Sequence, residues 1–318
     1  MKMIDFKSIY TELITENGAK QKKLSVSAPI GVYYGISEEG YFRLSFRSSA
    51  KSQPMESTKL LRVTQGYEGS SIYWTCFDLL NLDAQKVFFT FCENLIESIT
   101  ETTTEYDALK QLKNRYNTWR SMFRKDMIQK IPMEILQGLF GELYFLNSFM
   151  IPKYDIATAV SSWGGPEFLS KDFSVGTTWY EIKTIGANAQ TVKISSLAQL
   201  SADVDGHLVA IRAEAMSDEF TNGESSVEEL LQIVLGKIQD STTKNIFLDK
   251  ISAFCENHKI ELTDDCLTKK FLVKEIKQYL VDKDFPRITE KTVPFVEITA
   301  VEYSLSIAAI HRFLEEEQ

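Results

Sequence analysis

The chain has 318 residues, with 35 Lys and Arg against 44 Asp and Glu, for a formal charge of −9. At about 150 residues per domain, this length accommodates two domains, or one large domain with an extension. An apolar content of 44% with 25% charged residues excludes wholesale disorder. The acid excess argues against a simple basic nucleic-acid coat, because it repels phosphate at long range. Asp5, Lys7 and Glu12 interrupt the opening segment, which lacks the apolar core of a signal peptide, and no stretch approaches the ~18 apolar residues of a membrane span. Cys76, Cys92, Cys255 and Cys266 are scattered, as expected of reduced thiols, and Cys255, His258 and Cys266 supply three ligands where zinc takes four. The absence of a P-loop, a G-x-G-x-x-G fingerprint and a Ser-His-Asp arrangement argues against a nucleotide cofactor and against acyl transfer. The expectation is a soluble cytoplasmic protein.

In chain order, residues 28–49 predict a hairpin: Val32, Tyr34 and Ile36 alternate, then a Glu-Glu-Gly turn leads to Phe42, Leu44 and Phe46. Strands are expected over 58–64 and 71–79, separated by the turn QGYEGS, and Asp83 is placed to cap a helix over 84–100. Residues 1–104 therefore read as a β-rich module closed by a helix, followed by a second domain over 105–318. Helices are expected over 105–126 and 133–149. Strands follow at 171–176, 178–186, 190–195 and 207–212. Ser226 and Glu229 form a capping box that opens a helix over 227–239. Further helical segments are expected at 245–257 and 268–282, and one or two late strands in FVEITAVEYSLSIAAI.

The segment Lys171-Asp172-Phe173-Ser174-Val175-Gly176-Thr177-Thr178-Trp179-Tyr180-Glu181-Ile182-Lys183 carries the chemistry. Two apolar-rich runs flank Gly176-Thr177, which predicts a hairpin. Residues two apart on a strand share a face, so Glu181 and Lys183 project together while Ile182 faces the opposite layer. The hairpin would bring Asp172 beside Glu181. Two carboxylates and an ammonium at one spot suit phosphodiester hydrolysis, which needs a hard cation such as Mg²⁺ and a group to orient the nucleophilic water.

Glu275-Ile276-Lys277 repeats the tripeptide, but Leu272, Ile276, Tyr279 and Leu280 recur at helical spacing. On a helix, residues two apart diverge by ~200°, so this copy reads as a solvated face. In the helix over 133–149, Glu142 falls on the stripe of Ile135, Leu139, Leu146 and Phe149. There it either finds a cation or proton partner or reaches solvent at the stripe edge. Gly138 and Gly141 each cost that helix about 1 kcal/mol relative to Ala, which close packing on a sheet or site would explain.

GLFGELYFL, the Trp-Gly-Gly-Pro loop, KDF and YEIKT together resemble the PD-(D/E)XK nuclease superfamily, the restriction-endonuclease-like fold. With Asp284-Phe285-Pro286-Arg287 and VEYSLSI, the chain more narrowly resembles a bacterial family of PD-(D/E)XK motif proteins, over most of its length. The resemblance implies an α/β fold, with a mixed β-sheet flanked by helices behind an N-terminal β-rich α+β module. It implies Mg²⁺, with Mn²⁺ able to substitute, held by Asp172, Glu181 and the Ile182 carbonyl. It further implies Lys183 as the water-positioning residue, Glu142 as an auxiliary carboxylate, and Gln199 near the scissile phosphate, unless that amide lies on a helix surface. Lys171 stands where the namesake Pro of the motif would be. Partners implied are DNA and the helicase-like and MORC-type ATPase proteins of phage-defence operons.

Charge is segregated along the chain. Residues 110–130 hold seven cations against Asp126 alone, a local sum of +6, with Lys113, Arg120 and Arg124 on one helical face. That face is either a phosphate contact or simply solvated, while Tyr116, Trp119 and Phe123 on another face read as core. Residues 213–230 carry six acids and no Lys or Arg. The expected function is Mg²⁺-dependent hydrolysis of DNA within a defence system. The alternative is a nuclease-fold DNA-binding or assembly module without turnover.

Overall fold

A computed structural model describes residues 6, 9–10, 20–69, 71–122, 131–217, 223–260, 264–293, 295 and 297–317. The chain divides into two compact units, Met1–Lys130 with Lys259–Asp264, and Ile131–His258 with Asp265–Gln318.

The first unit is a five-stranded antiparallel sheet of β1 (Lys20–Lys23), β2 (Gly31–Ile36), β3 (Phe42–Ser48), β4 (Leu61–Glu68) and β5 (Ile72–Leu79), in the order β1-β2-β3-β5-β4. The expected hairpin forms with Val32 opposite Phe46 and Tyr34 opposite Leu44. β4 runs through Gln65–Glu68 and pairs with β5 as far as Glu68 opposite Ile72, so the strands extend further than the sequence suggests, and Gly69 beyond β4 has φ +61°. Helices α1 (Gln85–Thr100) and α2 (Glu105–Met122) follow. The chain enters α1 through a 3₁₀ turn over Leu82–Ala84, which moves the N-cap position from Asp83 to Ala84. Phe77 packs against Phe91 and Tyr116, and the Trp119 indole donates to Asn94 Oδ1 at 2.8 Å, so the aromatic face of α2 is core. Helix α2 packs on α1 and groups with this unit.

The second unit starts with α3 (Met133–Phe145), which continues as a π turn over Leu146–Met150, and α4 (Ile156–Ser162). Next come β6 (Phe173–Val175), β7 (Thr178–Ile185), β8 (Thr191–Ile194), β9 (Gly206–Ala215) and β10 (Ser225–Ser226). Helices α5 (Val227–Lys237) and α6 (Ser241–His258) precede β11 (Lys270–Val281), β12 (Tyr303–Ser306), α7 (Ile307–Ile310) and β13 (Leu314–Glu317). The main sheet runs β10-β11-β9-β7-β6 with β13 added on β11, and β8 pairs with β12 separately. β7 and β9 are parallel while β6–β7 and β9–β11 are antiparallel, which is the mixed α/β arrangement expected. The Ser226–Glu229 capping box is present, with both reciprocal hydrogen bonds.

Residues 268–282 are corrected from helix to strand, since Lys270–Val281 is β11, paired with β9 over its length. A bulge between Val273 and Glu275 shifts the register by one residue. Leu272 and Tyr279 share one face of this strand and Ile276 and Leu280 the other, so their helical spacing came from apolar side chains on both faces of a strand.

Helix α3 packs on β7 through Gly141, where a Cβ would lie 1.8 Å from Thr184 Oγ1 and 3.0 Å from its Cβ. Gly138, one turn away, has nothing within 4 Å of a built Cβ. Urea unfolding should separate the two. Gly141→Ala should lose about 1–3 kcal/mol by overpacking against a stiff Thr, whereas Gly138→Ala should gain about 1 kcal/mol of helix propensity. Shifts of the same sign would contradict this packing.

Candidate active site

The β6–β7 hairpin builds the site. Val175 pairs with Thr178 across Gly176-Thr177, and Gly176 alone of the two has positive φ, +59°, as a type II′ turn requires. Extending the pairing Phe173–Tyr180 by one step sets Asp172 opposite Glu181. Asp172 Oδ2 accepts the Ile182 N–H at 2.7 Å. Glu181 and Lys183 share a face as expected, with Nζ to Oε1 at 2.8 Å. Thr184, on the alternate face, is the residue that meets Gly141.

Glu142, next to Gly141 on α3, has a specific partner: the Trp163 indole N–H donates to its Oε2 at 2.7 Å. A Cβ on Gly165 would lie 2.1 Å from that same oxygen, so any side chain there would push the Glu142 carboxylate from its place. The Gly164 and Gly165 N–H groups donate to the Asp172 carbonyl at 2.7 and 3.3 Å. The Trp-Gly-Gly loop therefore holds both Glu142 and Asp172. Lys250 of α6 supports it from behind through the Trp163 carbonyl and Glu167.

Glu181 is buried, whereas Glu142, Asp172 and Lys183 are half-buried, so the cluster opens to solvent. Burial followed by the neighbouring Asp172 charge raises the Glu181 carboxyl to about 8. Burial likewise raises Asp172, against the pull of Lys183, and raises Glu142 well above its usual range, helped by Asp172. Burial works against the Lys183 ammonium, but Glu181 and Asp172 together outweigh it and raise its pKa. The cluster thus carries more carboxylate than its ammonium neutralises, and a cation would relieve that imbalance. Among the described residues, no group of three or more His, Cys, Asp or Glu side chains is arranged to hold a metal ion. A cation here would instead take Asp172, Glu181, the Ile182 carbonyl and water. That all-oxygen set fits Mg²⁺.

Lys171 is the residue whose role the sequence did not reveal. Its Nζ donates to the carbonyls of Gln199 at 2.8 Å, Ser201 at 3.0 Å and Ala198, and stands 4.4 Å over the Trp179 ring. Arg287 holds the remaining carbonyl of that turn, Leu200, at 2.8 Å. Gln199 is therefore tied to the motif through its backbone, while its side-chain Oε1 accepts the Ser195 N–H at 2.8 Å. The signal was its position next to Asp172. The carbonyl cage came from 27 to 30 residues away and could not be anticipated.

The second E-x-K also lies on a strand, so helical divergence does not set it aside. Charge does. Glu275 is paired with Arg212 at 2.8 Å and Lys277 at 2.7 Å, and hydrogen bonds from those cations hold its carboxyl below the usual range. Lys277 also meets Glu317 at 3.2 Å. This copy is neutralised by its own side chains.

Of the basic face on α2, Lys113 donates to the Pro54 carbonyl and Arg120 pairs with Glu56 at 2.5 Å, both within the first unit. Arg124 and Phe123 lie outside the described residues.

The raised Glu181 carboxyl makes a pH prediction. The folded state binds this proton more tightly than the unfolded chain, so metal-free protein should be most stable at low pH through this group and lose that contribution as pH rises from about 4.5 toward about 8. Glu181→Gln should flatten the fall in Tm over that window. A variant with the same pH slope as the parent would contradict the assignment.

A family model described as "Putative PD-(D/E)XK family member, (DUF4420)" matches residues 6–308. No curated protein and no solved structure gave a match. With the model covering nearly the whole chain, and with the strand-borne Glu181-Ile182-Lys183 facing Asp172 in a mixed α/β fold, this chain belongs to that PD-(D/E)XK family.

Proposed function

We propose that this chain hydrolyses phosphodiester bonds of DNA with Mg²⁺, which Mn²⁺ can replace. The observation that carries this reading is the surplus of carboxylate around Lys183, on a strand hairpin that opens to solvent. Asp172, Glu181 and the Ile182 carbonyl would hold the cation, whose chemistry is to neutralise charge at the phosphate and acidify a bound water. Lys183, anchored by Glu181, orients the attacking water. Glu142, fixed by Trp163, is the auxiliary carboxylate. Gln199 contacts the scissile phosphate through its NH₂ end, since its oxygen is already engaged by Ser195. The 3′ oxygen leaves. On the strength of the family resemblance, we place the protein in the bacterial cytoplasm, beside helicase-like and MORC-type ATPase partners of a phage-defence operon. Among the described residues no helix is long and apolar enough to cross a membrane.

One observation favours a second reading, a nuclease-fold module that binds or assembles without turnover. The chain carries a charge of −9, and the two described cations of the α2 face, Lys113 and Arg120, are engaged by Pro54 and Glu56 of their own unit. Plasmid cleavage separates the readings. The purified protein should nick supercoiled DNA in Mg²⁺ or Mn²⁺ and not in EDTA, and Asp172→Ala or Lys183→Ala should slow it by about 100-fold or more. Cleavage that persists in folded Asp172→Ala would sink the assignment. A parent protein that neither cleaves nor gains thermal stability with divalent cations would favour the silent module.

A further inference from the structure

The first unit carries a second surface that this activity does not use. One face of its sheet packs on α1 through Phe77. On the other face, the registers set Gly31, Arg47, Trp74 and Gly66 in one transverse row across β2, β3, β5 and β4. The outer positions of the row are both glycine, and rings occupy the space. A Cβ on Gly66 would lie 2.3 Å from the Trp74 indole, so the indole rests flat on that glycine. A Cβ on Gly31 would lie 3.1 Å from the Tyr33 ring, over which the Arg47 guanidinium stands at 4.6 Å. An indole laid along a sheet turns its second π face outward.

A cleft on this face, of about 330 Å³, has Trp74 as a wall and includes Arg43, Ser45, Arg47, Thr64 and Glu68. It reaches the size of about 300 Å³ at which small-ligand sites begin. It therefore offers a cation, a hydroxyl group and an aromatic wall. The acids of this face are largely consumed. Asp78 is paired with both Arg43 at 2.6 Å and Arg62 at 3.0 Å, and Arg62 also takes Glu39 at 2.9 Å. Arg47 has only a loose 4.0 Å pair with exposed Glu68.

We propose that this sheet face binds single-stranded nucleic acid, with a base stacked on Trp74 and Arg47 contacting a neighbouring phosphate. A base has a π face for the indole, and its edge meets the Thr64 hydroxyl. A duplex hides its base faces and could use only the cations. An acidic peptide would satisfy Arg47 but leave the Trp74 face without a matching group. The proposal goes beyond the nuclease reading and does not need it, since every residue invoked lies in the first unit.

The test is fluorescence anisotropy of a fluorescein-labelled thymidine 20-mer with the full chain in EDTA, where metal-dependent cleavage is silent. Trp74→Ala should weaken binding by about tenfold or more, while Trp74→Phe, which keeps a ring, should retain most of it. The surface variant Arg47→Ala should reduce the slope of log K against log salt by about 0.7, the value for one phosphate contact. An unchanged affinity and slope in this variant would overturn the proposal. So would a duplex 20-mer that competes as well as the single strand. Binding of a fluorescein-labelled oligoglutamate peptide with no binding of the thymidine 20-mer would overturn it in favour of an acidic protein partner. Failure to cleave plasmid would leave these binding results untouched, and their failure would leave the Asp172 site standing.

Discussion

Glu142, Asp172 and Glu181 crowd around Lys183 in a setting that disfavours every negative charge among them. Burying an unmatched carboxylate is costly, so a fold that gathers several must fix them by other means. Here the means are local and specific: the Ile182 N–H on Asp172, the Trp163 indole on Glu142, and the Lys183 ammonium on Glu181. Much of the second unit serves these three contacts. The hairpin turn at Gly176 sets the register, Gly141 lets α3 approach β7, and Gly165 leaves room for the Glu142 carboxylate.

The two E-x-K copies show that strand context alone does not make a site. Both place Glu and Lys on one face, at 2.8 and 2.7 Å. They differ in what else arrives. Asp172 comes to the first and adds negative charge, whereas Arg212 comes to the second and removes it. The pKa directions follow, with Glu181 raised and Glu275 lowered. The distinction is one of charge balance, and it sets the site that calls for a cation apart from a self-contained ion-pair ladder.

Legibility in the sequence followed the range of the interaction. The Asp172–Glu181 approach was readable because a two-residue turn and period-two alternation fix it within ten residues. The Ser226–Glu229 capping box was readable for the same reason. The strand over 270–281 was misread because apolar residues on both of its faces, Leu272 and Tyr279 on one and Ile276 and Leu280 on the other, fall at helical spacing. Partners from far along the chain were invisible: Trp163 for Glu142, the 198–201 carbonyls for Lys171, and the Pro54–Glu56 segment for Lys113 and Arg120. The open face of the N-terminal sheet was missed because its meaning lies in cross-strand rows, with glycines opposite Arg47 and Trp74, rather than in any contiguous motif.

The central claim is that the carboxylate surplus marks a divalent-cation site, and proton counting on metal binding tests it most directly. A Glu181 carboxyl raised to about 8 retains its proton near neutrality and must release it when a cation binds. Titration calorimetry with Mn²⁺ at pH 7, repeated in buffers of different ionisation enthalpy, should show binding coupled to proton release, with fewer protons released by Glu181→Gln. Binding without proton release, or no binding heat in any buffer, would contradict the account.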